Sequence, residues 1–193
     1  MNFIEAFEVD ADICDSLIAL HKQGSKMGIV QKGKLGTPEG LAVDKSKKDS
    51  SDLGLVTVPD ELLTEYRMPE YFAQLQGCIN QYIEKYPALE KVGPCAISES
   101  PIIQYYPPGG GFKMEHYERT GWSTSTRMLV WMTYLNDVTD GGGTHFYHQD
   151  LTVDARKGKT VIWPPDFTHS HAGVVSPTQS KYIITGWLNF VEQ

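Results

Sequence analysis

Apolar positions recur at helical spacing in two stretches of the first half of the chain, which predicts two amphipathic helices. In the first stretch, Ile13, Leu17 and Leu20 share one face. Asp12 is predicted to cap the helix that carries them. The second stretch is longer, and Pro69 suits its first turn. Its predicted buried stripe has five members: Phe72, Leu75, Ile79, Ile83 and Tyr86.

The segment between these helices, residues 23–54, is rich in Gly, Ser and Lys and shows no periodicity. Such a composition predicts a loop. A solvated connection is the simpler interpretation of this loop. A mobile flap that covers a binding site and contributes to specificity is the alternative.

From about Ala96 the pattern changes to short β-prone runs that are separated by Gly and Pro. The predicted strands are 102–106, 127–135, 144–147, 160–163 and 181–190. Gly141–Gly143 is predicted to form a turn that needs positive φ. Strands at these intervals predict a sandwich or barrel. The predicted fold class is therefore mainly β, with N-terminal helices packed on a jelly roll. We expect one domain over 1–193, in which 1–95 supply helical support and a flexible loop and 96–193 form the jelly-roll core.

Composition and charge narrow the class of protein. Hydrophobic residues make up 40% of the 193 and charged residues 21%, which is typical of a soluble globular domain. The net charge of −7 argues against nucleic acid as the main partner, because phosphate binding needs clustered Lys and Arg. No apolar run reaches the length of a membrane span, so no membrane partner is expected. The oligomeric state is left open by the sequence.

The cysteines and the N-terminus predict a location. Cys14, Cys78 and Cys95 are an odd, widely spaced set without a CxxC motif, so we expect free thiols in a reducing compartment. The first 15 residues carry acids where a signal peptide would need a basic start and an apolar run. The expected location is cytoplasmic, in a bacterial cell or in a virus-infected host.

Histidines and a carboxylate are the candidate metal ligands. Because alternate side chains of a strand share a face, His116 and Glu118 are predicted to project together. Five of the six histidines lie between 116 and 171, so His145, His148, His169 and His171 all compete for the third position. Two imidazoles and one carboxylate hold non-haem Fe(II) and leave about three coordination positions open. Zinc tolerates the same ligands and would suit a hydrolase.

The stretch from Tyr106 to Leu188 resembles the catalytic core of Fe(II)/2-oxoglutarate-dependent oxygenases of the prolyl 4-hydroxylase type. The matching segments, in the order expected for the family, are Tyr106–Gly109, His116–Glu118, Tyr134–Asp137, Gly141–Phe146, Lys157–Trp163, His171–Gly173 and Lys181–Trp187. The resemblance implies a cupin-like double-stranded β-helix. It also implies an iron site at His116, Glu118 and His171. Most prolyl hydroxylases carry Asp where this chain has Glu118.

The resemblance further implies a bound 2-oxoglutarate whose distal carboxylate pairs with Lys181. The other implied contacts to this co-substrate are Tyr134, Thr185 and Tyr106. The implied cofactors are Fe(II), 2-oxoglutarate and O2, with ascorbate as a possible reductant. The implied activity is hydroxylation of a C–H bond in a peptide or protein, with peptidyl proline as the target. The alternatives are a hydroxylase of a free amino acid or other small molecule, and a non-catalytic metal-binding jelly-roll module.

The remaining polar and aromatic candidates receive simpler interpretations. Trp131, Trp163 and Trp187 are expected in the core. Arg127, at the start of a strand, is expected to be structural. Trp122 either touches substrate or covers its own loop.

Overall fold

The computed structural model describes residues 1–37 and 40–192 of the chain. Its α-helices are α1 (Ala11–Lys26), α2 (Asp60–Glu65) and α3 (Met68–Lys85). Its strands are β1 (Glu5–Glu8), β2 (Gln31–Lys32), β3 (Leu35–Thr37), β4 (Gly40–Ala42), β5 (Lys48–Asp49), β6 (Ser51–Gly54), β7 (Cys95–Ala96), β8 (Ile102–Tyr106), β9 (Gly111–Phe112), β10 (Arg127–Tyr134), β11 (Thr144–Phe146), β12 (Leu151–Val153), β13 (Lys159–Trp163), β14 (His171–Gly173) and β15 (Lys181–Phe190). No α-helix in these ranges is both long and apolar enough to cross a membrane.

Two antiparallel sheets form the jelly roll. The large sheet runs in the order β1-β13-β10-β15-β8-β6-β2, with β7 also paired to β15. The small sheet has the order β12-β11-β14. A single β-bridge between His116 and His171 joins the segment after β9 to β14. The predicted mainly-β jelly-roll class is confirmed. Helices α1 and α3 lie where the hydrophobic pattern predicts them, and the short helix α2 is not predicted.

Strand β15 shows how the large sheet separates two hydrophobic clusters. Ile183 packs inside the jelly roll with the residues of β13 and β10 that face the small sheet. Ile184 and Leu188 face the other way and pack in the cluster that holds the helices. Gly186 is required on this helix side, because a Cβ there would lie 2.5 Å from the ring of Trp131. The alternation places Lys181 and Thr185 on the interior side with Ile183.

Helix α1 covers the outer face of the sheet with Ile13 and Leu17, as the sequence predicts. The predicted cap is wrong, because Asp12 lies in the first turn and Asp10 occupies the cap position. Asp10 makes no cap bond and instead accepts a hydrogen bond of 2.7 Å from Nε2 of Gln74. A tertiary partner on α3 has therefore replaced the local capping interaction.

Helix α3 buries a face that is rotated from the predicted stripe. Pro69 lies in its first turn as predicted, whereas Phe72 and Ile83 are only half-buried. The buried residues are Met68, Tyr71, Leu75, Cys78, Ile79 and Tyr82. Tyr71 and Tyr82 take inner positions because their hydroxyls reach Thr133 Oγ1 and the Phe3 carbonyl, both at 2.8 Å.

The predicted loop over residues 23–54 is partly wrong. It contains the end of α1 and short strands, of which β6 pairs with β8 and β5 pairs with β9. Residues 38–39 lie outside the described residues. These strands have no hydrophobic alternation because they are held by backbone pairing and by a buried ion pair, Lys48 to Asp52 at 2.8 Å. The flap interpretation and the division at residue 95 stay predictions.

Candidate active site

Three side chains converge at one end of the jelly roll. The nearest ligand atoms of His116, Glu118 and His171 all lie within 4.8 Å of one another. Oε1 of Glu118 lies 3.6 Å from Nε2 of His116 and 3.7 Å from Nε2 of His171. No other group of three His, Cys, Asp or Glu residues in the described chain has this arrangement, so the competing histidines are outside it.

Backbone carbonyls fix the orientation of both imidazoles. Nδ1 of His116 lies 2.9 Å from the Met114 carbonyl, and Nδ1 of His171 lies 2.9 Å from the His169 carbonyl. A carbonyl only accepts, so each Nδ1 carries the proton and each Nε2 presents a lone pair to the centre. The ring of Phe112 stacks on His116 at 3.7 Å, which holds that ring in place.

The electrostatic environment keeps both imidazoles neutral. Burial, together with the neighbouring His116, lowers the pKa of His171 to about 4. Burial also lowers the pKa of His116, against the opposing effect of Glu118. Neutral imidazole is the form that ligates metals, so at neutral pH the ligand set needs no deprotonation of histidine.

Two residues given simpler interpretations from the sequence touch the carboxylate of this cluster. Trp187 donates from Nε1 to Oε2 of Glu118 at 3.1 Å. Arg127 donates from Nη1 to the same oxygen at 3.4 Å and to the Glu118 carbonyl at 2.8 Å. Arg127 begins an otherwise apolar run, and a buried guanidinium requires an anionic partner. That signal is present in the sequence, but it does not say which anion.

Lys181 is a buried cation beside the cluster. It is 6% exposed, and its Nζ donates to the Gly142 carbonyl at 2.8 Å. Gly142 has φ +75°, which agrees with the predicted glycine turn. Within the described residues no carboxylate lies within ion-pair distance of Lys181, and burial lowers its pKa to about 8. A buried ammonium in this state favours an external carboxylate.

Lys181 lies close to the histidine cluster, as the positions of Gly173 and Phe112 show. A Cβ on Gly173, two residues after His171, would lie 3.6 Å from Nζ of Lys181 and 3.3 Å from the Phe112 carbonyl. Phe112 is the residue that stacks on His116. The ammonium also lies over the ring of Tyr106, with Nζ 5.1 Å from the ring centre.

The three predicted hydroxyl contacts have protein partners in this structure. Tyr106 donates to Oε1 of Gln104 at 2.7 Å, and Thr185 donates to the Trp131 carbonyl at 3.0 Å. The Tyr134 hydroxyl lies 2.7 Å from Oγ1 of Thr144. Their proposed contacts to a co-substrate therefore stay predictions.

A groove opens to the surface beside His116. It has a cavity volume of about 400 Å³, and Tyr117, Phe167 and His148 line it. Phe167 is 65% exposed and Tyr117 is 37% exposed. Trp122 is 94% exposed, in the loop that follows Glu118. Exposed aromatic side chains beside a candidate metal site are typical of a binding surface.

Comparison with known proteins defines the class of this site. Residues 101–189, a little under half of the chain, match the family model described as the 2OG-Fe(II) oxygenase superfamily. The segment is therefore similar to that superfamily, and the jelly roll and the histidine cluster agree with the resemblance that the sequence predicts.

The particular relatives are prolyl 4-hydroxylases. The chain is 29% identical over 73 residues to prolyl 4-hydroxylase subunit alpha-1 of Gallus gallus and of Homo sapiens. This alignment covers 34% of the chain and only 14% of each relative.

Solved structures of prolyl hydroxylases share the fold. A viral collagen prolyl hydroxylase from Paramecium Bursaria Chlorella virus-1, in a 2OG complex, has a TM-score of 0.69 at 17% identity and covers 98% of this chain and 97% of its own. A Trichoplax adhaerens prolyl hydroxylase in complex with a hypoxia inducible factor peptide has a TM-score of 0.73 at 14% identity, covering 98% and 84%. A Pseudomonas putida prolyl-4-hydroxylase has a TM-score of 0.69 at 17% identity, covering 98% and 94%.

Proposed function

We propose that this protein is an Fe(II)- and 2-oxoglutarate-dependent dioxygenase that hydroxylates a peptidyl proline. One observation carries the proposal. A cluster of two neutral imidazoles and a carboxylate lies close to Lys181, a buried ammonium without a carboxylate partner among the described residues. A metal-only site, such as a zinc hydrolase or a binding module, has no use for that ammonium.

The donor set fits the metal. Nitrogens from His116 and His171 and an oxygen from Glu118 lie within 4.8 Å of one another, close enough to bind one ion as a facial triad. When bound, Fe(II) with 2-oxoglutarate and O2 supplies the oxidising chemistry that converts a C–H bond to C–OH and releases succinate and CO2. The chain keeps both imidazoles neutral, and Phe112 holds the ring of His116 in place by stacking on it.

The co-substrate position follows from Lys181. A diacid that reaches the metal with its keto-acid end would place its distal carboxylate against Nζ, where the ammonium partly neutralises it. Tyr106, beside Nζ, and Tyr134 and Thr185, on the interior side of the sheet, are the proposed hydroxyl contacts in this region. Each would exchange a protein partner for the carboxylate.

The groove favours a peptide over a small molecule. A free amino acid is usually enclosed by its site, whereas this groove is open and bordered by Tyr117 and Phe167. Proline-rich segments in the polyproline II conformation dock on aromatic surfaces of this kind. The Trichoplax adhaerens prolyl hydroxylase, which shares the fold, was solved in complex with a peptide fragment, and this supports a peptide substrate.

A direct test uses purified protein with Fe(II), 2-oxoglutarate, ascorbate and a panel of proline-rich peptides. We expect succinate in proportion to a peptide product that has gained the mass of one oxygen atom. The matched peptide with Ala in place of Pro should not react, and His171→Ala should form neither product.

Other outcomes discriminate the alternatives. Oxidation of free proline or another small molecule, with untouched peptides, would favour the small-molecule hydroxylase. Under anaerobic conditions the Fe(II) and 2-oxoglutarate chelate should give a weak visible absorption band. Absence of both the band and succinate would remove the oxygenase proposal.

We also propose a cytoplasmic location, for which the cysteines are the support. Cys14 and Cys78 are buried free thiols, and Cys95 is also unpaired. Free thiols suit a reducing compartment. Cell fractionation with an antibody to the protein tests this directly, and recovery in an oxidising compartment would contradict it.

A further inference from the structure

The two oxygens of Glu118 have different surroundings. Oε1 faces both imidazoles, at 3.6 and 3.7 Å from their Nε2 atoms. Oε2 faces the other way and accepts hydrogen bonds from Trp187 at 3.1 Å and Arg127 at 3.4 Å. The carboxylate is therefore divided into an oxygen turned to the ligand cluster and an oxygen held by the protein.

The group that holds Oε2 is itself fixed. The guanidinium of Arg127 forms a bidentate ion pair with Glu99, in which Nε donates to Oε1 at 2.8 Å and Nη2 donates to Oε2 at 2.5 Å. Asn189 donates to the same carboxylate of Glu99 at 2.7 Å. The guanidinium also lies 3.7 Å above the centre of the Trp187 ring. Arg127 and Trp187 thus form one rigid unit against Glu118.

We infer that Trp187 and Arg127 are positioning residues that hold Oε2 of Glu118 away from the metal, so that Glu118 ligates through Oε1 alone. The inference deepens the proposed function and rests on it for the identity of the metal. Glutamate has one more methylene than the aspartate usual in prolyl hydroxylases. Without such restraint, the longer side chain could rotate or chelate the metal with both oxygens. Chelation would occupy one of the open positions that a keto acid and O2 need.

The first test removes one hydrogen bond and leaves the ring in place. Trp187→Phe keeps an aromatic ring under Arg127 but loses the Nε1–H donor. Trp131→Phe is the matched control, because Nε1 of Trp131 is buried without a hydrogen-bond partner in the described chain. Metal-free protein is titrated anaerobically with Co(II), without any keto acid. We expect Trp187→Phe to weaken Co(II) binding roughly tenfold and to shift the visible Co(II) bands, and Trp131→Phe to change neither.

A second test separates positioning from general damage. Ni(II) binding is measured for Trp187→Phe alone, for Glu118→Ala alone and for the double variant. The loss caused by Trp187→Phe should disappear when Glu118 is already absent. Arg127→Lys, which keeps the charge but loses the planar fork, should behave in the same way.

Two outcomes overturn the inference. The first is wild-type Co(II) affinity and band shape in Trp187→Phe. The second is an equal loss with and without Glu118. Neither measurement uses 2-oxoglutarate or a peptide. An enzyme without activity, in which the effect of Trp187→Phe on metal binding still depends on Glu118, would refute the proposed function and leave the role of Trp187 and Arg127 unchanged.

Discussion

Replacement of Lys181 by methionine should separate co-substrate binding from metal binding. The side chain is buried, its Nζ has only the Gly142 carbonyl as a hydrogen-bond partner in the described chain, and methionine fills a similar volume. In Lys181→Met the distal carboxylate of 2-oxoglutarate would enter the same space without a cation. In the described chain the proposed metal ligands make no hydrogen bond or ion pair with this side chain, so the affinity for the metal should not change.

The magnitude follows from the burial. Removal of one partner from a buried ion pair costs about 3–5 kcal/mol. Part of the cost of a buried, unpaired charge is already present in the free protein, because burial lowers the pKa of Lys181 to about 8 and the Gly142 carbonyl is only a neutral acceptor. We therefore expect the lower end of the range, which corresponds to a loss on the order of a hundredfold in affinity for 2-oxoglutarate.

Anaerobic titration of the Fe(II)-loaded protein measures this affinity through the visible band of the chelate. A matched ligand is 2-oxobutyrate, which keeps the chelating end and lacks the distal carboxylate. It should bind wild type and Lys181→Met equally. The reasoning is refuted when the variant binds both keto acids as tightly as wild type, or loses both to the same extent.

The remaining predictions concern the ligand, the pH and the packing. Glu118→Ala should lower metal affinity by more than about a hundredfold, because mutation of residues that only hydrogen-bond to metal ligands already lowers it about 10–100-fold. Its circular dichroism should stay that of wild type, and global unfolding would instead make Glu118 a structural carboxylate. Affinity for 2-oxoglutarate should fall as the pH rises above about 8, because only the charged form of Lys181 pairs with the carboxylate and the free protein loses the Lys181 proton near its lowered pKa. An affinity that does not change with pH in wild type, or that falls equally in Lys181→Met, would contradict this. Gly186→Ala should lower the free energy of unfolding in urea by about 1–3 kcal/mol, because the new Cβ would lie 2.5 Å from the Trp131 ring, and an unchanged midpoint would show that this contact relaxes without cost.

Much of the site could be predicted from the sequence because its chemistry is local. His116 and Glu118 are two residues apart, and in an extended backbone that spacing alone puts both side chains on one face. The third proposed ligand could not be chosen in this way, because four histidines downstream of Glu118 were equally good candidates from their positions in the sequence. The family resemblance selected His171, and the β-bridge brings His171 next to His116, which the spacing along the chain does not reveal.

Other contacts depended on distances that a sequence does not contain. Arg127 meets Glu99 and Glu118, which lie 28 and 9 positions away, and only the sheet brings them to one side. Strand β6 is polar and short, so its pattern resembles a loop until β8 supplies the pairing edge. The rotation of α3 likewise depended on hydroxyl partners for Tyr71 and Tyr82, whereas the spacing of apolar residues fitted two neighbouring faces.

The strand order of the large sheet has a consequence for any attempt to obtain a minimal enzyme. The outer strands β1, β6 and β2 come from residues 1–95, and they flank β13 and β8. A fragment of residues 96–193 would leave both flanks as unpaired edges and would strip the helices from the apolar face around Trp131 and Ile184. Such a fragment should aggregate although it retains every proposed ligand, so the chemistry of this chain is inseparable from its first half.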